Sequence, residues 1–189
     1  MGPIGGAVTL KGTWFDPNEA GSIELLFESV NLYGPVVSLS CTGGLSINAA
    51  GTFVCKGALP VAATPGEYTV VAYDPLIPGD AAYAPQFTVE TPQMSITKPG
   101  SLKGEPGSSF TAKGTWFDPN DAAAITFSLE GPGVSLTVTC SSPLSLNAEG
   151  NFACTFTIPT TAAPGIYTLQ ASDPNIPMVV TSSNALTVT

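Results

Sequence analysis

The sequence predicts an all-β chain made of two tandem β-sandwich domains of about seven strands each, the first lacking its first strand. Three observations carry this. Apolar residues alternate with period two, turn-forming clusters interrupt them about every 8–12 residues, and the second half of the chain repeats the first.

The alternation places one face of each strand inward. Val8, Leu10, Gly12 and Trp14 alternate with Thr9, Lys11 and Thr13, and Phe152, Cys154, Phe156 and Ile158 with Ala153, Thr155 and Thr157. Such a pattern marks half-buried strands. Strands are expected over 6–14, 22–29, 36–41, 52–59, 67–73 and 85–90. The second copy gives 107–116, 124–130, 134–140, 151–158, 166–172 and 184–189, and "QMSITKP" at 93–99 reads as an additional first strand. Nothing equivalent precedes the first copy, so the chain reads as two repeats of a longer array with one first strand cut away. No stretch has a convincing 3.6-residue period. "NEAGSIELLF" comes nearest, but its Gly and the preceding Pro favour a turn followed by a strand.

The repeat is long. "GTWFDPNEA" starts at Gly12 and "GTWFDPNDA" at Gly114, 102 positions later, whereas Cys41 and Cys140, like Cys55 and Cys154, lie 99 apart. Copy two is therefore three residues shorter around "SVNLYGP" versus "GPG". A period near 100 suits globular domains rather than a solenoid, whose repeats run to about 20–50 residues. The expected domains are 1–90 and 91–189, each of the size of an immunoglobulin-like sandwich.

Composition narrows function. Of 189 residues only 10% are charged, and the net charge is −9 with five Lys, no Arg and no His. A nucleic-acid partner needs a basic face, so none is expected, and a polybasic membrane contact is excluded likewise. No apolar run is long enough to span a membrane. The opening "MGPIGGAVTL" lacks a basic segment and a long apolar core, so it does not read as a signal peptide. Without His there is no Ser-His-Asp triad, imidazole base or imidazole metal ligand. No enzyme is expected.

Each copy has two cysteines, Cys41 with Cys55 and Cys140 with Cys154. Buried free thiols are one reading; zinc suits them poorly without a C-x2-C pair or His. The preferred reading is one disulfide per copy, because each Cys falls on the inward side of its strand and the intervening loop turns the chain back. Closing such a loop stabilises by about 3 kcal/mol in the chain-entropy view. Such bonds persist in oxidising surroundings, which points outside the cytoplasm.

"VTLKGTWFDPNEAGSIELLF" and "GTFVCKGALPVAATPGEYTVVAYD" resemble tandem immunoglobulin-like (bacterial/archaeal Ig-like, IPT-like) repeats of prokaryotic cell-surface proteins. The shared features are Gly-x-x-Phe before a Pro-containing turn, Gly-x-Phe, and Pro-Gly-x-Tyr opening a late strand. The likeness covers nearly all of both copies and implies an Ig-like sandwich. The paired Cys and the Trp are particular to this sequence.

Within the repeated motif, alternation puts Trp14 and Trp116 inward as structural residues, and Asp-Pro-Asn turns the chain. Tyr68 and Tyr167 are expected to bury their rings and bond their hydroxyls to nearby backbone. Asp16, Asn18 and Glu19, with Asp118, Asn120 and Asp121, offer oxygens for Ca²⁺, aided by Asp74 and Asp173; three per loop fall short of the six to eight that Ca²⁺ takes. No other cofactor is expected. Tyr33, Tyr73 and Tyr83 lack aromatic counterparts in copy two, so they are the candidates for a glycan-binding face. The connection "FTVETPQMSITKPG" contains two Pro and no Gly/Ser run, which favours a semi-rigid pair. The expectation is an extracellular, non-catalytic stalk, adhesin shaft or filament component whose partners are neighbouring repeats or subunits. An open sheet edge in copy one adds self-assembly by strand addition. The alternative is a glycan- or calcium-binding accessory module of a secreted protein.

Overall fold

The computed structural model describes residues 1–31, 34–74, 81–173, 176 and 178–189. Its contacts cluster into two units, Met1–Thr91 and Pro92–Thr189, and both are built of strands.

Unit 1 contains β1 (Ala7–Gly12), β2 (Glu24–Ser29), β3 (Val36–Ser38), β4 (Phe53–Ala58), β5 (Gly66–Tyr73), β6 (Ala81–Tyr83) and β7 (Phe87–Val89), with a 3₁₀ turn at Pro17–Glu19. β1 and β4 pair as a two-stranded antiparallel sheet. The second sheet runs β3-β2-β5-β6, and β7 also pairs with β5. Unit 2 contains β8 (Gln93–Thr97), β9 (Lys103–Gly104), β10 (Ser109–Thr115), β11 (Thr126–Gly131), β12 (Val134–Val138), β13 (Phe152–Thr157), β14 (Gly165–Ser172) and β15 (Val179–Val188). One face is β8-β10-β13 and the other β12-β11-β14-β15, with β9 on β15. A lone parallel bridge, Ser182 to Met94, joins the two faces.

The strands form where the sequence alternates. In β13, Phe152, Cys154 and Phe156 are buried while Ala153, Thr155 and Thr157 face out. Phe110, Phe152 and Phe156 from one sheet meet Phe127, Leu129, Tyr167, Leu169 and Leu186 from the other in a single core. The rings of Phe127 and Phe152 lie 5.6 Å apart in an edge contact between the sheets. Each unit is thus a β-sandwich of the immunoglobulin-like kind.

Three segments read as loops prove to be strand: β6, β9 and the first half of β15. The last was hidden by "TSSN", which looks like a turn. Here the polar groups serve the sheets instead. Ser182 Oγ accepts from Leu169 N at 3.0 Å, and Asn184 bonds β8. Conversely, the strand expected over 36–41 ends at Ser38, and that over 85–90 covers Phe87–Val89.

The units differ at one place. In unit 2, β8 lies along β10 with Thr97, Ile96, Ser95, Met94 and Gln93 opposite Thr111, Ala112, Lys113, Gly114 and Thr115. Among the described residues of unit 1, β1 pairs with β4 alone. Among the described residues, the first sandwich therefore shows no counterpart of β8.

Candidate functional site

The repeated motif builds a corner. Trp14 and Trp116 adopt φ of +73° and +66°, the only non-glycine residues with positive φ among those described. A left-handed residue reverses the phase of alternation. The structure accordingly corrects the inward placement of Trp: Trp14 is 95% exposed, and Phe117 takes the inward position at 2% exposure. Trp116 is half-buried. Phe15 and Phe117 pack edge-on against Phe53 and Phe152 at 5.1 and 5.0 Å. Their amides donate to Gly51 O and Gly150 O at 3.0 and 3.1 Å. Gly12 and Gly114 leave room for those rings, since a Cβ there would collide with Phe53 or Phe152.

After the corner, the acidic residues cap a turn. Asp16 Oδ1 accepts from Asn18 N at 2.8 Å and Asn18 Nδ2 at 3.0 Å. Asp118 Oδ1 accepts from Asn120 N at 2.9 Å and Asn120 Nδ2 at 3.1 Å. Asp118 is buried, as are Asp74 and Asp173. Burial pushes the Asp118 carboxyl above its ordinary value; the bond from Asn120 N opposes this, and the charge of Asp121 adds to it. Glu19 lies within the 3₁₀ turn. Among the described residues, no three His, Cys, Asp or Glu converge as a metal-binding group.

Both cysteine pairs are joined, Cys41 to Cys55 and Cys140 to Cys154, with Cα–Cα distances of 5.2 and 5.3 Å. Each bond ties the chain beyond β3 or β12 to β4 or β13, where Thr42 N and Ser141 N also donate to Lys56 O and Thr155 O. The tyrosine hydroxyls turn back on the backbone: Tyr68 donates to Thr64 O at 2.9 Å and Tyr167 to Ala163 O at 3.0 Å. Tyr68 also accepts from Thr64 N at 3.0 Å. Of the aromatic candidates for a glycan face, Tyr83 is 70% exposed, Tyr73 is half-buried, and Tyr33 lies outside the described residues.

A shallow concavity recurs beside each disulfide. It is lined by Ile23, Leu39 and Leu45 in unit 1 and by Ile125, Val138 and Leu144 in unit 2. In unit 2 its lining holds no acid or base.

A second concavity of unit 1 is apolar and differs between the copies. It is a groove of about 490 Å³, floored by Leu25, Phe53, Val70 and Ala72 and bounded by Thr9–Thr13 on one side and Ala82–Phe87 on the other. The five residues Thr9–Thr13 correspond through the repeat to Thr111–Thr115, the stretch that β8 covers in unit 2. Exposure follows the groove: Phe15, Leu10 and Phe87 are half-buried, whereas their counterparts Phe117, Ala112 and Leu186 are 2%, 0% and 0% exposed. In unit 2 the space is filled by Met94 and Ile96, at 3% and 1% exposure. Asn184 fastens that strand, accepting from Ile96 N and donating to Ile96 O, both at 2.8 Å. Sequence reading found the missing strand but not this lining, because Ala82–Ala84 carries no strand signal.

No helix among the described residues is long and apolar enough to cross a membrane. No protein-family model matches this chain, and no curated protein does. Among solved structures, the chain is similar to SGBP-B of the Bacteroides ovatus mixed-linkage glucan utilization locus, in complex with a mixed-linkage heptasaccharide. The identity is 17% and the TM-score 0.35, over 98% of this chain and 41% of that one. It is also similar to titin A168–A169, at 10% identity and TM-score 0.32, over 98% of this chain and 91% of that one. The chain thus spans about two fifths of the length of the first of these.

Proposed function

We propose that this chain is a non-catalytic structural module of an exported surface protein, a segment of stalk, adhesin shaft or filament built from tandem Ig-like domains. One observation carries the reading: the Asp, Asn, Tyr and Cys side chains of the motifs that recur in both copies close on the fold itself. The Asp-Asn pairs cap turns, the Tyr hydroxyls bond backbone four residues upstream, and the Cys pairs tie the chain beyond β3 and β12 to β4 and β13. A recurring catalytic site would leave such groups facing a cavity. The two disulfides support an oxidising, extracellular setting. The proposed partners are neighbouring repeats or subunits.

A glycan-binding accessory role is the second reading. It rests on the exposed aromatics of unit 1, Trp14 at 95% and Tyr83 at 70%, which offer faces for sugar rings. A glycan array probed with the full chain decides between the two. Saturable binding to an oligosaccharide, lost in Trp14→Ala or Tyr83→Ala, overturns the spacer reading. Melting curves recorded with Ca²⁺ and with chelator should coincide; a calcium-dependent shift abolished by Asp118→Asn would instead assign an ion to the corner.

A further inference from the structure

The two outer faces of the unit 1 sandwich differ in charge and in polarity. Strands β2, β3, β5 and β6 carry Glu24, Glu28 and Glu67 but no Lys, whereas β1 and β4 carry Lys11 and Lys56 but no acid. Unit 2 sorts its charges the same way, with Lys113 on β10 and Glu130 on β11. The face that bears the acids is apolar at its centre. Leu26 lies opposite Val71, Val71 opposite Tyr83, and Tyr73 opposite Glu24. Val36 lies opposite Glu28. These positions alternate with the core residues Leu25, Phe27, Val37, Val70 and Ala72, so they point away from the core. The equivalent row in unit 2 is Ser128, Gln170 and Thr181, with Ser172 for Tyr73 and Ser135 for Val36. A sandwich of this kind therefore folds with polar groups there, and the apolar face belongs to unit 1 alone. Leu26 and Val71 offer no hydrogen bond to sugar hydroxyls, so the face suits a protein surface better than a glycan.

The same unit carries the complement on its opposite side. On the outer face of β1 and β4, exposed Val54 lies opposite Lys11, Lys56 opposite Thr9, and Ala58 opposite Ala7. The alkyl stems of the two Lys extend the apolar surface around Val54. We propose that unit 1 binds a second copy of this chain, the acid-bordered apolar face of one molecule seated on the β1-β4 face of the next. Val54 and the Lys stems meet Leu26, Tyr73 and Tyr83, and the two ammonium groups meet Glu24 and Glu28. Two different patches are used, so each molecule keeps one of each free for a further copy. Opposite signs fix the register and exclude contacts between like faces. The inference rests on the structural-module reading and names its subunit partner.

The test is sedimentation of the full oxidised chain over a concentration series. The weight-average mass should rise with concentration. The rise should shrink when NaCl goes from about 20 mM to about 500 mM, which cuts the reach of charge to about 4 Å. Leu26→Ser with Tyr83→Thr, the residues of unit 2, should weaken association at least about tenfold. Glu24→Lys with Glu28→Lys makes both faces cationic, and Lys11→Glu with Lys56→Glu makes both anionic. Each of these variants should be monomeric alone, with the native circular dichroism spectrum, and an equimolar mixture of the two should associate again. A parent chain that stays monomeric up to about 1 mM overturns the proposal. It is equally overturned if the Leu26→Ser, Tyr83→Thr variant folds and associates like the parent, or if the two folded charge variants stay monomeric when mixed. A monomer leaves the module reading standing; that reading falls instead on saturable glycan binding.

Discussion

Phe15 and Phe117 occupy the same place in the repeated motif, yet replacing each by Ala should have unequal consequences. Phe117 is 2% exposed and meets Phe152 edge-on at 5.0 Å and 70°. Truncating a buried Phe costs about 3–5 kcal/mol, of which an edge-to-face pair supplies roughly 0.5–1.5 kcal/mol. A domain of this size loses about 4–8 °C of melting temperature per kcal/mol, so unit 2 should melt lower by roughly 12–40 °C. Phe15 keeps the ring geometry, 5.1 Å and 62° to Phe53, but one side of its ring faces the groove. Both the transfer and the cavity contributions shrink, and Phe15→Ala should cost about 1–2.5 kcal/mol. Scanning calorimetry of the oxidised chain, with each variant lowering its own transition, measures the two values. Trp14→Ala is the internal control, expected within about 0.5 kcal/mol of the parent because the side chain is in water. Equal costs for Phe15→Ala and Phe117→Ala would refute an open groove. A large cost for Trp14→Ala with a small one for Phe15→Ala would refute the phase reversal at the corner.

Further outcomes follow from single contacts. Gly150→Ala places a Cβ on Phe117 O at a φ of +70°, whereas Gly133→Ala at +69° meets nothing within 4 Å; urea titration should give at least about 2 kcal/mol for the first and about 1 kcal/mol for the second. Replacing Cys41 and Cys55 together by Ser should lower stability by about 3 kcal/mol, the loop-closure value, measured against the parent without reductant. Tyr167→Phe loses one hydroxyl bond and should cost about 1 kcal/mol, with Tyr68→Phe costing more because its hydroxyl also takes the Thr64 amide. Asp118 binds its proton more tightly in the fold than in the unfolded chain. Its favourable contribution is complete below the ordinary value of 3.8 and is lost as pH rises through the raised folded value. Asp118→Asn should therefore be neutral or stabilising at neutral pH, and that advantage should vanish at acid pH in denaturant midpoints taken across the range.

Much of the sandwich is legible in the sequence because burial on one face of a strand imposes period two directly. The cysteine pairing is legible for the same reason: Cys55 and Cys154 share the phase of Phe53 and Phe152 and are 1% and 2% exposed. The corner is not, because counting alternate residues assumes extended backbone throughout. β1 ends at Gly12, and the φ of +73° at Trp14 in the turn beyond it breaks the extended phase, so that Phe15 rather than Trp14 turns toward the core. A signal was nonetheless present. "WF" places two large aromatics side by side, only one of which can point inward, and the Gly51 and Gly150 that accept from the Phe amides recur too. The upper half of β15 carries no strand signal because Ser182 and Asn184 are turn-type residues, and the partners that hold them in the sheets, Leu169 N and the Ile96 backbone, lie far off in sequence.

The repeat separates two kinds of constraint. Positions identical in both copies, such as Gly12 and Gly114, Phe15 and Phe117, Tyr68 and Tyr167 and the four Cys, each fill a geometric requirement that every such sandwich must meet. They explain the fold and are silent about what distinguishes one unit from the other. The informative positions are those where the copies part. Leu10 stands for Ala112, Phe87 for Leu186, and Ala84 and Gln86 occupy the wall that in unit 2 holds Ser182 and Asn184. All four lie around one groove, and the first two enlarge apolar side chains where unit 1 is less covered. Random drift on a solvent-facing edge would tend to replace such side chains by polar ones, since exposed apolar surface of this kind promotes unwanted association. Their apolar character at the groove matches the covered state that β8 gives the equivalent edge in unit 2.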